Sequence, residues 1–206
     1  MTATRVAPGA PITHLLYLHG FRSSPQSTKS RKFAAWVGKH RPDLVWSCPQ
    51  LDPSPARAMR EVEDAIADWP DTRMAVIGSS LGGFYATVVA ERHGCRAVVL
   101  NPAVDPARDL SAAIGETTAW HSGDPFVFRS EYVGELRAME PGPLTDPGRY
   151  FAVVAKGDEV LSWREMSARY AGSPICLLEG SDHALTDFDA QMPDVLAFLG
   201  LDPLRA

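Results

Sequence analysis

The sequence is short of several things, and each shortage closes off a class of function. It holds three cysteines in 206 residues, Cys48, Cys95 and Cys176. An odd count at wide spacing argues against a disulfide framework and against a zinc cluster. All three lie in or beside apolar runs, so buried, reduced thiols are expected. Positive charge is not in excess, since 20 Lys and Arg stand against 25 Asp and Glu. No basic stripe appears, so nothing favours a nucleic acid or an anionic membrane surface as partner. No apolar run is long enough to cross a bilayer. Residues 1–11 show no signal peptide, which makes the cytoplasm the expected location. Internal repeats, low-complexity tracts and interdomain linkers are also missing.

What is present is an ordinary globular composition, 45% hydrophobic and 22% charged. The length suits one α/β domain with a sizeable core, expected over residues 1–206. Short apolar runs at 14–18, 44–48, 73–77, 97–100, 150–155 and 175–178 read as strands. They are nearly continuous rather than alternating, as strands buried on both faces of a parallel sheet should be. Between them, 27–39, 55–68, 81–93, 163–171 and 190–199 read as helices. In the second, Ala58, Val62, Ala65, Ile66 and Trp69 form the expected buried stripe. Repeating βα units imply an open, mostly parallel six-stranded sheet with helices on both faces and right-handed crossovers. Ligands of such sheets sit beyond the carboxyl ends of the strands.

Residues 74–86 carry the strongest signal: an apolar run, then Gly78-Ser79-Ser80-Leu81-Gly82, then a helical pattern. Gly-x-Ser-x-Gly between a strand and a helix is the nucleophile elbow of the α/β-hydrolases. The plain alternative for Ser80 is a helix N-cap. In the elbow reading the glycines are needed because backbone passes too close for a Cβ. Ser79 is the competing hydroxyl, one place short of the middle of the frame, and is expected to support the turn.

A serine hydroxyl needs a base, and the base needs a carboxylate to hold its tautomer. In this fold the chain order is Ser, acid, His. His93, His121 and His183 follow Ser80. His93 ends the helix that starts at the elbow, where a solvated helix C-terminus is expected, and His121 lies in an insertion. His183 follows the last strand and is the expected base. Asp158 follows the penultimate strand on a glycine turn and is the expected acid, with Glu159 adjacent and Asp105 more distant as alternatives. Backbone N–H groups of Leu81 and Phe21 are the expected oxyanion donors. His19 is expected to orient the Phe21 loop. Arg22 reads equally as a solvated charge or as a contact for an anionic substrate group.

Residues 103–148 break the βα rhythm. They mix Pro, Gly and acidic residues with aromatics, 131–139 reads as a helix, and a lid-like insertion is expected. Its aromatics could serve a substrate or a second chain.

Together, residues 17–21, Ser23-Ser24-Pro25, Ser27-Thr28-Lys29, the elbow, Asn101-Pro102-Ala103-Val104, residues 157–161 and 180–183 resemble the YqiA-type bacterial esterases. The resemblance runs from about Leu15 to Leu201. It implies a minimal α/β-hydrolase that lacks the usual leading antiparallel hairpin. It also implies Ser80, Asp158 and His183 as a triad acting on acyl esters and acyl-CoA thioesters, with no metal or cofactor. An acyltransferase on the same residues, or a non-catalytic binding protein on this scaffold, are the rival readings.

Overall fold

The structure, a computed structural model, describes residues 11–120 and 122–201. His121 and most of the N-terminal stretch read above for a signal peptide lie outside the described residues.

Six strands form one parallel sheet: β1 (His14–Leu18), β2 (Val45–Ser47), β3 (Met74–Ser79), β4 (Arg96–Leu100), β7 (Tyr150–Ala155) and β8 (Ile175–Leu178). Their spatial order is β2-β1-β3-β4-β7-β8. Successive side chains alternate between two buried faces. Leu16, Leu18, Val76 and Val99 point to one core, with Val62 of α2 (Pro55–Ile66), Phe84 of α3 (Leu81–His93) and Met166 of α6 (Trp163–Arg169). Leu15, Tyr17, Ile77 and Leu100 point to the other, with Phe33 of α1 (Thr28–His40) and Leu199 of α7 (Met192–Leu199). In β1, β3, β4 and β7 this two-sided burial is why the strands read as unbroken apolar runs, whereas the edge strands β2 and β8 hold no buried residue.

Local signals fix several ends. Ser54 accepts from Arg57 N–H and Pro55 opens α2, an N-cap followed by the residue that tolerates a missing N–H. In α2 the buried stripe is Ala58, Met59, Val62 and Ile66, while Ala65 is exposed. At about 100° per residue the buried arc runs from Ala58 toward Met59, which leaves Ala65 just outside it.

The segment 103–148 holds α4 (Pro106–Asp109), an antiparallel hairpin of β5 (Gly115–Thr118) and β6 (Pro125–Phe128), and α5 (Ser130–Ala138). The hairpin was not expected. The segment packs firmly: Phe128, Val133 and Leu136 are buried in the α2–α3 core. Glu135 Oε2 accepts from Ser54 Oγ at 2.8 Å and from Ala56 N–H at 2.9 Å, tying α5 to the start of α2.

All three cysteines are free thiols, but only Cys95 is buried. Cys48 and Cys176 sit near the two sheet edges, where cover is thinner. Among the described residues no helix is long and apolar enough to cross a membrane.

Candidate active site

Because the six strands of the main sheet are parallel, the loops after β1, β3, β4, β7 and β8 lie at one edge of it. Ser80 stands between β3 and α3 with φ 56° and ψ −122°. Positive φ is costly for a residue with a Cβ, and close packing enforces it here. A Cβ on Gly78 would lie 2.0 Å from Gly82 O, and one on Gly82 would lie 2.0 Å from Leu18 O. The elbow therefore fits only with glycine at both places. Ser79 closes β3 and is buried.

His183, in the loop after β8, lies with Nε2 3.0 Å from Ser80 Oγ. Its Nδ1 lies 2.8 Å from Asp158 Oδ2. The Asp158 side chain is fully buried, and its Oδ1 accepts from Val160 and Leu161 N–H at 2.8 Å each. A carboxylate so held can only accept, so Nδ1 carries the hydrogen and Nε2 is left to accept from Ser80. Glu159 is not the imidazole's partner; its Oε2 accepts from the backbone N–H of His183 at 3.0 Å. Asp105 caps α4 instead. His93 is not a solvated terminus: its ring lies between Glu63 and Asp71 at 2.8 and 2.7 Å. The Asp158 turn and the His183 loop are in close contact, since a Cβ on Gly157 would lie 2.2 Å from Ser181 O.

Sequence reasoning missed the work of Asn101. This fully buried residue follows β4 with φ 41°. Its Nδ2 donates to the carbonyls of Asp182 and His183, at 3.0 and 3.2 Å, and its Oδ1 accepts from Ala155 N–H at 2.8 Å. One amide thus joins the ends of three strands. The only signal was an Asn-Pro pair directly after a strand.

The loop after β1 is equally well tied. Leu51 N–H donates to His19 Nε2 at 3.1 Å, and His19 Nδ1 lies 3.0 Å from Gly20 O. His19 is therefore a neutral ring that shapes the loop. Phe21 meets Phe126 and Phe128 of the insertion edge-on, at 5.1 and 5.2 Å between ring centres. Arg22 is tied into the insertion rather than left free in solvent. Its Nε donates to Thr118 O at 2.6 Å and its guanidinium lies 4.3 Å over the Trp120 ring. Leu81 opens α3, where first-turn N–H groups have no intrahelical acceptor.

A cavity of about 480 Å³ opens over Ser80 and His183. Trp120 (68% exposed) and Val160 (63% exposed) line it, two large apolar side chains that the fold leaves uncovered. Lys29 lines it too, and burial draws its ammonium down to about pKa 8.

The description "Uncharacterised protein family (UPF0227)" matches residues 14–200. This chain belongs to the UPF0227 family. Its relatives include UPF0227 proteins of Shewanella woodyi, 22% identical over 189 residues, and Shewanella sediminis, 21% identical over 186. Each alignment covers 89% of this chain and 98% of the relative. Among solved structures, this UPF0227 chain is similar to Est1E from Butyrivibrio proteoclasticus with ferulic acid bound (TM-score 0.70, 13% identity, 95% and 91% of the two chains). It is also similar to mouse alpha/beta hydrolase domain-containing protein 10 (TM-score 0.66, 15% identity, 90% of each chain). A Paleococcus ferrophilus monoacylglycerol lipase matches at TM-score 0.66 and 13% identity, over 96% and 97% of the two chains. At such identities the likeness is one of fold, and the fold is that of the α/β-hydrolases.

Proposed function

We propose that this UPF0227 protein is a serine hydrolase that cleaves small carboxylic esters or acyl thioesters through an acyl-enzyme. The reading rests above all on the continuous hydrogen-bonded chain from Asp158 through His183 to Ser80. In the first step His183 Nε2 takes the Ser80 proton as Oγ attacks the acyl carbon. Asp158 steadies the imidazolium. The N–H groups of Phe21 and Leu81 hold the oxyanion as the carbonyl π bond opens. His183 then protonates the departing alcohol or thiol as its bond to the acyl carbon breaks. Water, deprotonated by His183, repeats the sequence and releases the acid. No metal or cofactor enters these steps. In this reading the chain is one cytoplasmic domain, and residues 103–148 are the lid that shapes substrate access.

The test is labelling by a fluorophosphonate probe together with turnover of p-nitrophenyl butyrate. Ser80→Ala should abolish labelling and lower kcat by roughly 10³ to 10⁶. Unlabelled wild-type protein, or an unchanged rate in the variant, refutes the proposal.

A further inference from the structure

The segment 23–29 is among the motifs that carry the family resemblance, yet the proposed steps give it no role. Ser23, Ser27, Thr28 and Lys29 line the cavity above Ser80. Lys29 stands in the first turn of α1, and its Nζ donates to the carbonyl oxygen of Ala184, the residue after His183.

Among the described residues that carbonyl is the only hydrogen-bond acceptor for an ammonium with three donors. Lys29 forms no ion pair among the described residues, whereas Lys32, one turn on, pairs with Asp189 at 2.6 Å. Burial lowers the Lys29 pKa more than Asp182 restores it, and Lys32 adds to the lowering. A half-buried cation left so poorly compensated is costly. An anion entering the cavity would offset that cost and take the spare donors. The cavity's own carboxylate, Glu159, already has Oε2 engaged by His183 N–H.

We propose that Lys29 is a specificity-determining residue that holds a carboxylate or phosphate of the substrate beside the scissile carbonyl. The substrates are then acyl esters or thioesters with an anionic group close to the reacting carbon. This rests on the hydrolase reading of the site. The phosphates of a coenzyme A leaving group do not meet the requirement, because a whole pantetheine arm separates them from the thioester.

Two matched pairs of non-hydrolysable anilides test it by isothermal calorimetry. Glutaric acid monoanilide against valeranilide places the carboxylate on the acyl side. 4-(Butyrylamino)benzoate against butyranilide places it on the leaving-group side. In one pair the charged member should bind the wild type at least about tenfold more tightly. Lys29→Met should remove that ratio, Lys29→Glu should invert it, and Lys29→Arg should keep most of it. No charge preference in either pair, or a preference that survives Lys29→Met, overturns the proposal. Binding here needs no turnover. Charge preference without Ser80 labelling therefore refutes only the hydrolase reading, and labelling without charge preference refutes only the role of Lys29.

Discussion

Asn101 holds His183 by its backbone. Its amide nitrogen donates to the His183 carbonyl at 3.2 Å, while the amide oxygen accepts from Ala155 N–H at 2.8 Å, at the end of the strand that leads to Asp158. The proposed base and its proposed acid are thus placed by one residue whose side chain bonds to backbone groups.

Asn101→Ala should therefore damage both stability and rate. It leaves a buried N–H and two carbonyls without partners, a cost of about 1–3 kcal/mol for each group left dry. We expect a melting temperature several degrees lower and kcat reduced about tenfold or more. Asn101→Asp should be worse for rate, because it turns a carboxylate oxygen toward two carbonyls. Wild-type kinetics in either variant would contradict this.

The two neighbouring acids should separate cleanly. Asp158→Asn should lower kcat by roughly 10⁴, because the amide offers a donor to Nδ1 and spoils the tautomer. Glu159→Gln keeps an acceptor for His183 N–H and should cost about tenfold at most. The reverse ranking in ester kinetics would move the acid to Glu159.

His93 gives the fold a pH dependence away from the site. Burial opposes charge on this ring, but hydrogen bonds to Glu63 and Asp71 outweigh it and raise the pKa above the ordinary 6.5. A raised folded-state value stabilises fully below the unfolded pKa, and the benefit is lost as pH rises through the folded one. The stability gap between wild type and His93→Gln in urea should thus be widest below the ordinary histidine range and narrow as pH rises above it. A constant gap would rule this out.

Arg22→Ala should act on rate more than on stability. It removes the side-chain contacts of the Phe21 loop with Thr118 O and the Trp120 ring and leaves only the backbone bond from Trp120 N–H to Arg22 O. A misplaced oxyanion donor should cost roughly 10- to 100-fold in kcat, with about 1 kcal/mol or less of stability. Urea unfolding followed beside ester turnover distinguishes the two. Lost stability at full rate would make Arg22 a structural clamp only.

The centre of the sheet was legible because burial on both faces writes a continuous apolar signature, and the edge strand β8 was legible from its apolar run Ile-Cys-Leu-Leu. β1, β7, β8 and α3 begin and end where the sequence places them. The hairpin was not legible, since β5 reads Gly-Glu-Thr-Thr, neither apolar nor alternating. Contacts across the fold, such as Phe21 with Phe126 and Phe128, decide that segment. At the site, Ser80, Asp158 and His183 stood out through strand-then-turn context and chain order. Asn101 did not, because its partners lie 54, 81 and 82 residues away and no local pattern records them.

Ser80 follows β3, where every residue is buried, whereas His183 follows β8, an edge strand with none. The proposed nucleophile and base thus stand beside strands of unequal burial, and so of unequal local stability. Fraying of one short edge would carry the base away while the elbow stays intact. Catalysis should then fade in denaturant before far-ultraviolet circular dichroism changes, and the nucleophile should be the last of the three residues to lose its shape.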